Sequence, residues 1–191
     1  MEALLVSTGI VALAEIGDKT QLLAFMLAAR YRRPGIIILA ILLATTLNHG
    51  LAGAIGTWLP ALMDPAIMRW VLGIGFLVMA IWIMIPDKLD DTEATHTRFG
   101  VFGTTFVTFF IAEMGDKTQI ATVALAAQYH AFFSVVIGTT LGMMIANVPA
   151  VIFGEKIADR VPTRLVHTVA ACVFAVLGIY TLLEGTALLG L

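Results

Sequence analysis

Residues 12–31 read ALAEIGDKTQLLAFMLAARY, and residues 110–129 read FIAEMGDKTQIATVALAAQY. Eleven of the twenty aligned positions are identical, among them Glu-x-Gly-Asp-Lys-Thr-Gln and the later Leu-Ala-Ala-x-Tyr. Each copy puts three ionisable side chains into a stretch that is otherwise apolar and long enough to cross a bilayer. The hydrocarbon core is about 30 Å thick and takes about 20 apolar helical residues. A charged side chain at the centre of such a helix costs about 2.5–3.5 kcal/mol on insertion scales. Glu15, Asp18 and Lys19, with Glu113, Asp116 and Lys117, are too costly to be incidental.

The rest of the chain agrees with a membrane setting. Apolar residues make up 60% of the 191 and charged residues 13%, against about 25% charged in soluble domains. So few charges cannot cover a water-facing surface. The formal net charge of −2 and the absence of any long basic run exclude a nucleic-acid binder. Six segments are long and apolar enough to span, at 3–29, 35–59, 68–85, 99–127, 131–153 and 165–183. The expected fold is an all-α polytopic membrane protein with six transmembrane helices. No cleavable signal peptide is expected at the N-terminus, because its apolar run continues into a full span.

The duplication sets the organisation. Residues 1–85 hold the first three spans, 86–98 form an acidic linker, and 99–191 hold the other three. Three is odd, so the second half enters the membrane from the opposite side. This is the 3+3 inverted-topology repeat of secondary transporters, whose binding site lies near the midplane where the repeats meet. Basic residues orient the chain. Arg30, Arg32, Arg33, Lys88, Arg98, Lys156, Arg160 and Arg164 share one side, and Arg69 stands alone on the other. The positive-inside rule puts that first side in the cytoplasm and both termini outside it.

The chemistry lies in the two motifs. On a continuous helix Glu15, Asp18 and Lys19 share one face, and Gln21 extends it; Glu113, Asp116, Lys117 and Gln119 repeat the pattern. The candidate ligands are Glu15, Asp18, Gln21, Glu113, Asp116 and Gln119, supported by the Thr20 and Thr118 hydroxyls. Asn48 and Asn147 are either further ligands or interhelical hydrogen-bond glue. Every donor is oxygen, which suits Mg, Ca or Mn better than Zn or Cu. Four carboxylates and two ammonium groups leave a charge that one divalent cation or two protons would neutralise. Metal and protons would then compete for one cluster, which is a route to antiport. Helix–helix glue as the sole role would leave that charge unpaired.

Other residues stay open between two readings. Gly17 and Gly115 permit either close helix approach or local unwinding that frees carbonyls. Lys19 and Lys117 are either partners of Glu15 and Glu113 within one helix or tethered cations that fill the cluster when the metal leaves. Met114 is a thioether donor or a lipid-facing side chain. His49 is a packing residue or a proton relay, and His167 is expected at a membrane boundary. Spans three and six brace the core, face lipid or form a homodimer seam. The single cysteine, Cys172, excludes an intrachain disulfide and a thiolate zinc site. The nucleophile–base sets of an enzyme are absent, and no cofactor is expected.

The duplicated Glu-x-Gly-Asp-Lys-Thr signature resembles one family across essentially the whole chain. It is the six-span cation-transporter family named for the Glu-x-Gly-Asp-(Lys/Arg)-(Ser/Thr) motif, within the lysine-exporter superfamily. That family includes bacterial manganese exporters and Golgi manganese/calcium transporters. The resemblance implies export of Mn²⁺, or also Ca²⁺, from the cytoplasm in exchange for H⁺ or Na⁺. It maps the family's motif acids onto Glu15, Asp18, Glu113 and Asp116, and the short N-terminus implies a bacterial inner membrane. The competing expectations are a cation channel or leak with the same acidic site, and a non-transporting metal-sensing scaffold.

Overall fold

The computed structural model describes residues 1–85, 99–153 and 163–188. The described residues form eight α-helices: α1 (Glu2–Glu15), α2 (Lys19–Tyr31), α3 (Pro34–Trp58), α4 (Pro65–Trp82), α5 (Gly100–Glu113), α6 (Lys117–Tyr129), α7 (Phe132–Phe153) and α8 (Thr163–Leu188). The linker expected at 86–98, with Lys88 and Arg98, lies outside the described residues, as do Lys156 and Arg160.

Among the described residues, four helical stretches are long and apolar enough to cross a membrane: Pro34–Ala61, Pro65–Trp82, Phe132–Phe153 and Thr163–Leu183. The segments expected as first and fourth spans are not continuous. Each is split at its motif into two helices of 14 and 13 residues. The expectation that Glu15, Asp18 and Lys19 share one uninterrupted helical face is therefore corrected. The chain leaves helical geometry between Glu15 and Lys19, and again between Glu113 and Lys117.

Local signals account for the other boundaries. Arg32 takes a left-handed conformation after α2, and its N–H closes on the Ala28 carbonyl. His130 does the same after α6, onto Ala126. Pro34 and Pro65 start α3 and α4 where no intrahelical N–H bond is needed. The Asp64 carboxylate caps α4 by accepting from the Ala66 amide at 2.8 Å.

The helices pair in a pattern. α1 packs on α7 and α3 on α5; α2 packs on α7 and α3 on α6; α1 touches α6 and α2 touches α5; α4 lies along α8. Exchanging α1–α4 with α5–α8 in order maps these pairings onto one another. α1 also touches α8, and α4 touches α6. The α1–α7 approach is close because α7 is smooth there. A Cβ added at Gly138 or Gly142 would come within 2.7 Å of the Leu4 carbonyl oxygen or 2.6 Å of that of Thr8. Membrane helices use small residues in this way, since lipid offers no hydrophobic drive for helix association.

Two apolar clusters flank the motifs. One gathers Ile10, Phe76, Leu125 and Phe174, and the other Leu23, Ile37, Ile41 and Phe109. Outside them, Leu39, Leu43, Leu47, Leu51 and Ile55 stand exposed at four-residue spacing on α3. Such a stripe is a liability in water and ordinary against lipid. The opposite face of α3 buries Thr45, Asn48 and His49 completely.

Candidate metal centre

Each motif folds into the same turn. Glu15 ends α1, Ile16 is extended (φ −66°, ψ 113°), Gly17 has φ +86°, and Asp18 (φ −85°, ψ 170°) precedes α2. Glu113, Met114 (φ −68°, ψ 120°), Gly115 (φ +76°) and Asp116 (φ −78°, ψ 167°) repeat it. A Cβ at Gly115 would meet nothing within 4 Å, so that glycine is required for its backbone conformation rather than for space. Unwinding is thus the outcome of the two readings at Gly115. At Gly17 both apply, because a Cβ there would also fall 2.3 Å from Thr163 Cγ2.

The other motif residues hold the turn. The Gly17 amide donates to Gln21 Oε1 at 2.9 Å, and the Gly115 amide to Gln119 Oε1 at 2.6 Å. The Asp18 amide reaches the Glu15 carbonyl at 3.1 Å, and that of Asp116 the Glu113 carbonyl at 3.3 Å. The Thr20 hydroxyl donates to Glu15 Oε2 at 2.6 Å, and that of Thr118 to Glu113 Oε2 at 3.2 Å. The electropositive first turns of α2 and α6 begin at the two aspartates.

The two turns meet. Glu15, Glu113 and Asp116 each offer a carboxylate oxygen, and these lie within 4.8 Å of one another. Both glutamates are fully buried, and neither Glu15 Oε1 nor Glu113 Oε1 has a hydrogen-bond partner among the described residues. Buried carboxylate oxygens left open in this way are costly unless a cation or proton takes them. Asp18 is also buried but is not one of the close trio.

A family model described as "Divalent cation/proton antiporter GDT1" matches residues 3–91 and 101–188, one motif in each stretch. The chain belongs to the GDT1 family. Over 182 residues, covering 95% of this chain and 90% of the relative, it is 52% identical to a Vibrio cholerae protein named "Putative manganese exporter". It is 30% identical to the GDT1-like protein sll0615 of Synechocystis, over 86% of this chain and 89% of that one. It is 28% identical to GDT1-like protein 3 of Oryza sativa subsp. indica, over 91% and 71%. No solved structure matches the chain.

In this GDT1-family chain the remaining candidates take unequal positions. The Gln21 and Gln119 carbonyl oxygens are turned onto the glycine amides, so their side chains brace the breaks. Gln21 Nε2 donates to the Ala146 carbonyl at 2.9 Å, and Gln119 Nε2 donates to Asn48 Oδ1 at 2.5 Å. Asn48 also donates to the Phe110 carbonyl at 3.4 Å, so it ties α3 to both sides of the second break. Asn147 instead donates to Met143 on its own helix, at 3.1 Å to the carbonyl. Its Oδ1 is buried without a hydrogen-bond partner among the described residues. Lys19 Nζ lies 3.9 Å from Asp116 Oδ1, across the two repeats, whereas Lys117 Nζ donates to the Ile85 carbonyl at 2.7 Å.

Three further placements could not be read from local pattern. His167, expected at a membrane boundary, reaches the first break, where Nε2–H donates to the Ile16 carbonyl at 2.9 Å. Met114 is 60% exposed, whereas the three close acids are buried. His49 is fully buried, with neither ring nitrogen hydrogen-bonded among the described residues. The partners of His167 and Lys117 are backbone carbonyls 151 and 32 residues away, which carry no sequence signal.

Proposed function

We propose that this chain exports Mn²⁺ from the cytoplasm in exchange for protons, by alternating access at a site shared by Glu15, Glu113 and Asp116. The observation that carries the reading is the convergence of acids from two broken helices within 4.8 Å. Three buried carboxylates converge here, and a divalent cation offsets most of their negative charge. Hard oxygen donors suit Mn²⁺ and Ca²⁺. Manganese is preferred because the 52%-identical relative carries that metal in its name, and protons are preferred to Na⁺ by the family description. Asp18 is the fourth acid of the site, reached as the helices rearrange.

In this reading, α1 with α2 and α5 with α6 each cross the bilayer as one broken span. With α3, α4, α7 and α8 they make six spans in a 3+3 inverted repeat. Support comes from the matched breaks and from pairings that survive exchange of the two halves. Broken helices at the midplane of inverted repeats are a recurrent transporter device. Both termini lie outside the cytoplasm, and the membrane is the bacterial plasma membrane.

Metal binding requires deprotonated carboxylates, so affinity for Mn²⁺ falls as pH falls. Protons arriving from outside discharge the metal there, and the higher cytoplasmic pH reloads the site. The experiment is Mn²⁺ flux in proteoliposomes with an imposed pH gradient. Uphill Mn²⁺ movement driven by protons is expected. Flux that ignores the gradient, or that survives unchanged in Glu15→Gln or Glu113→Gln, would sink the reading.

A further inference from the structure

We propose that Lys19 is the tethered counter-cation of the acidic centre, held against Asp116 until a divalent cation displaces it, while Lys117 is committed elsewhere as an anchor for the end of α4. The inference rests on the metal-site reading above.

The lysines start from equivalent positions, each directly after the aspartate that precedes α2 or α6. Their side chains then diverge. Lys117 is 3% exposed and donates to the carbonyl of Ile85, three residues past the end of α4. Carbonyls at a helix C-terminus lack intrahelical partners, and a cation there also complements the helix dipole. Lys117 is thus buried and occupied by a structural bond to the first repeat.

Lys19 runs the other way. It leaves its own motif and places its ammonium 3.9 Å from an acid of the opposite motif. That acid, Asp116, belongs to the trio with Glu15 and Glu113. The distance is the loose end of ion-pair range, and the Lys19 side chain is 18% exposed against 4% for its partner. The Lys19 side chain is partly exposed beside the acids, whereas that of Lys117 is buried on a short backbone bond. An ammonium and a divalent ion repel each other at this range, so each weakens the other's hold on Asp116. Lys19 therefore competes with the cargo for one carboxylate, and Lys117 does not. With Lys19 in place the emptied acids keep a compensating charge inside the membrane.

The test is Mn²⁺ titration of the purified full-length chain by calorimetry. Lys19→Gln is expected to tighten Kd about tenfold, the effect of removing one like charge at this range. Lys19→Arg, which keeps the charge, stays near the parent value. Lys117→Gln does not tighten binding and lowers the thermal midpoint. Unchanged or weaker binding in Lys19→Gln, or equal tightening in Lys117→Gln, overturns the inference. If Lys19→Gln does not fold, a Lys19→Cys, Cys172→Ser protein is titrated before and after modification with 2-aminoethyl methanethiosulfonate, which restores an ammonium. Weaker binding after modification is expected, and no change overturns the inference. A parent protein that binds no Mn²⁺ sinks the metal-site reading itself; a parent that binds, with Lys19→Gln untightened, sinks only this inference.

Discussion

At the first break the Gln21 amide reaches the Ala146 carbonyl and Lys19 crosses to Asp116; at the second, the Gln119 amide reaches the Asn48 side chain and Lys117 reaches the Ile85 carbonyl. The backbone is the same at both, down to the glycine with positive φ and the glutamine on its amide. The contrast separates two levels of cause. Seven residues of local sequence dictate the turn. The neighbouring helices decide where the long side chains of that turn go, and so which lysine faces the acids.

The largest effects test what the two breaks share. Removing either buried glutamate charge with Glu15→Gln or Glu113→Gln is expected to weaken Mn²⁺ binding by about a hundredfold or more, since losing one partner of a buried charge set costs about 3–5 kcal/mol. Calorimetry checks this, and a large loss from only one of them would break the equivalence of the motifs. Gly17→Ala and Gly115→Ala come next. A left-handed residue with a Cβ costs about 1–2 kcal/mol. Gly17→Ala should cost more, because Thr163 occupies the space that Gly115 has free. Thermal unfolding in detergent ranks the two, and the reverse order would contradict the packing at the first break.

A smaller effect sharpens the difference between the breaks. Asn48→Ala removes bonds to both Phe110 and Gln119 and is expected to cost about 1–2 kcal/mol of stability. Asn147→Ala loses bonds within its own helix and should cost about 0.6 kcal/mol. Equal losses in thermal unfolding would mean that the second break is no better braced than the first. The smallest contrast lies in the threonines. Thr20→Val removes a 2.6 Å bond to Glu15 and Thr118→Val a 3.2 Å bond to Glu113. Residues orienting a ligand are worth about tenfold in metal affinity, with Thr20 expected to exceed Thr118.

Much of this site is legible in the amino-acid sequence. The doubled motif named the acids, because ionisable groups in apolar runs are expensive and matched pairs are not accidental. Gly17 and Gly115 were legible only as two alternatives, since a glycine marks both unwinding and close approach. Treating residues 3–29 and 99–127 as unbroken spans put Glu15, Asp18 and Lys19 on one face, which the positive φ at Gly17 abolishes. Gln21 and Gln119 were legible as oxygen donors. That their oxygens serve the turn follows from the amides freed by the break.

The sequence by itself determined a membrane-embedded helical chain, two matching acidic motifs and a family. Composition, periodicity and a seven-residue repeat are local or additive properties, and they survive without any knowledge of packing. Tertiary structure decided that the close trio is Glu15, Glu113 and Asp116, that Asn48 and not Asn147 braces a break, and that Lys19 and Lys117 part company. Those outcomes depend on which helix lies against which. Identical side chains on identical turns meet different carbonyls and carboxylates once the two halves pack, and repetition in the sequence cannot record that difference.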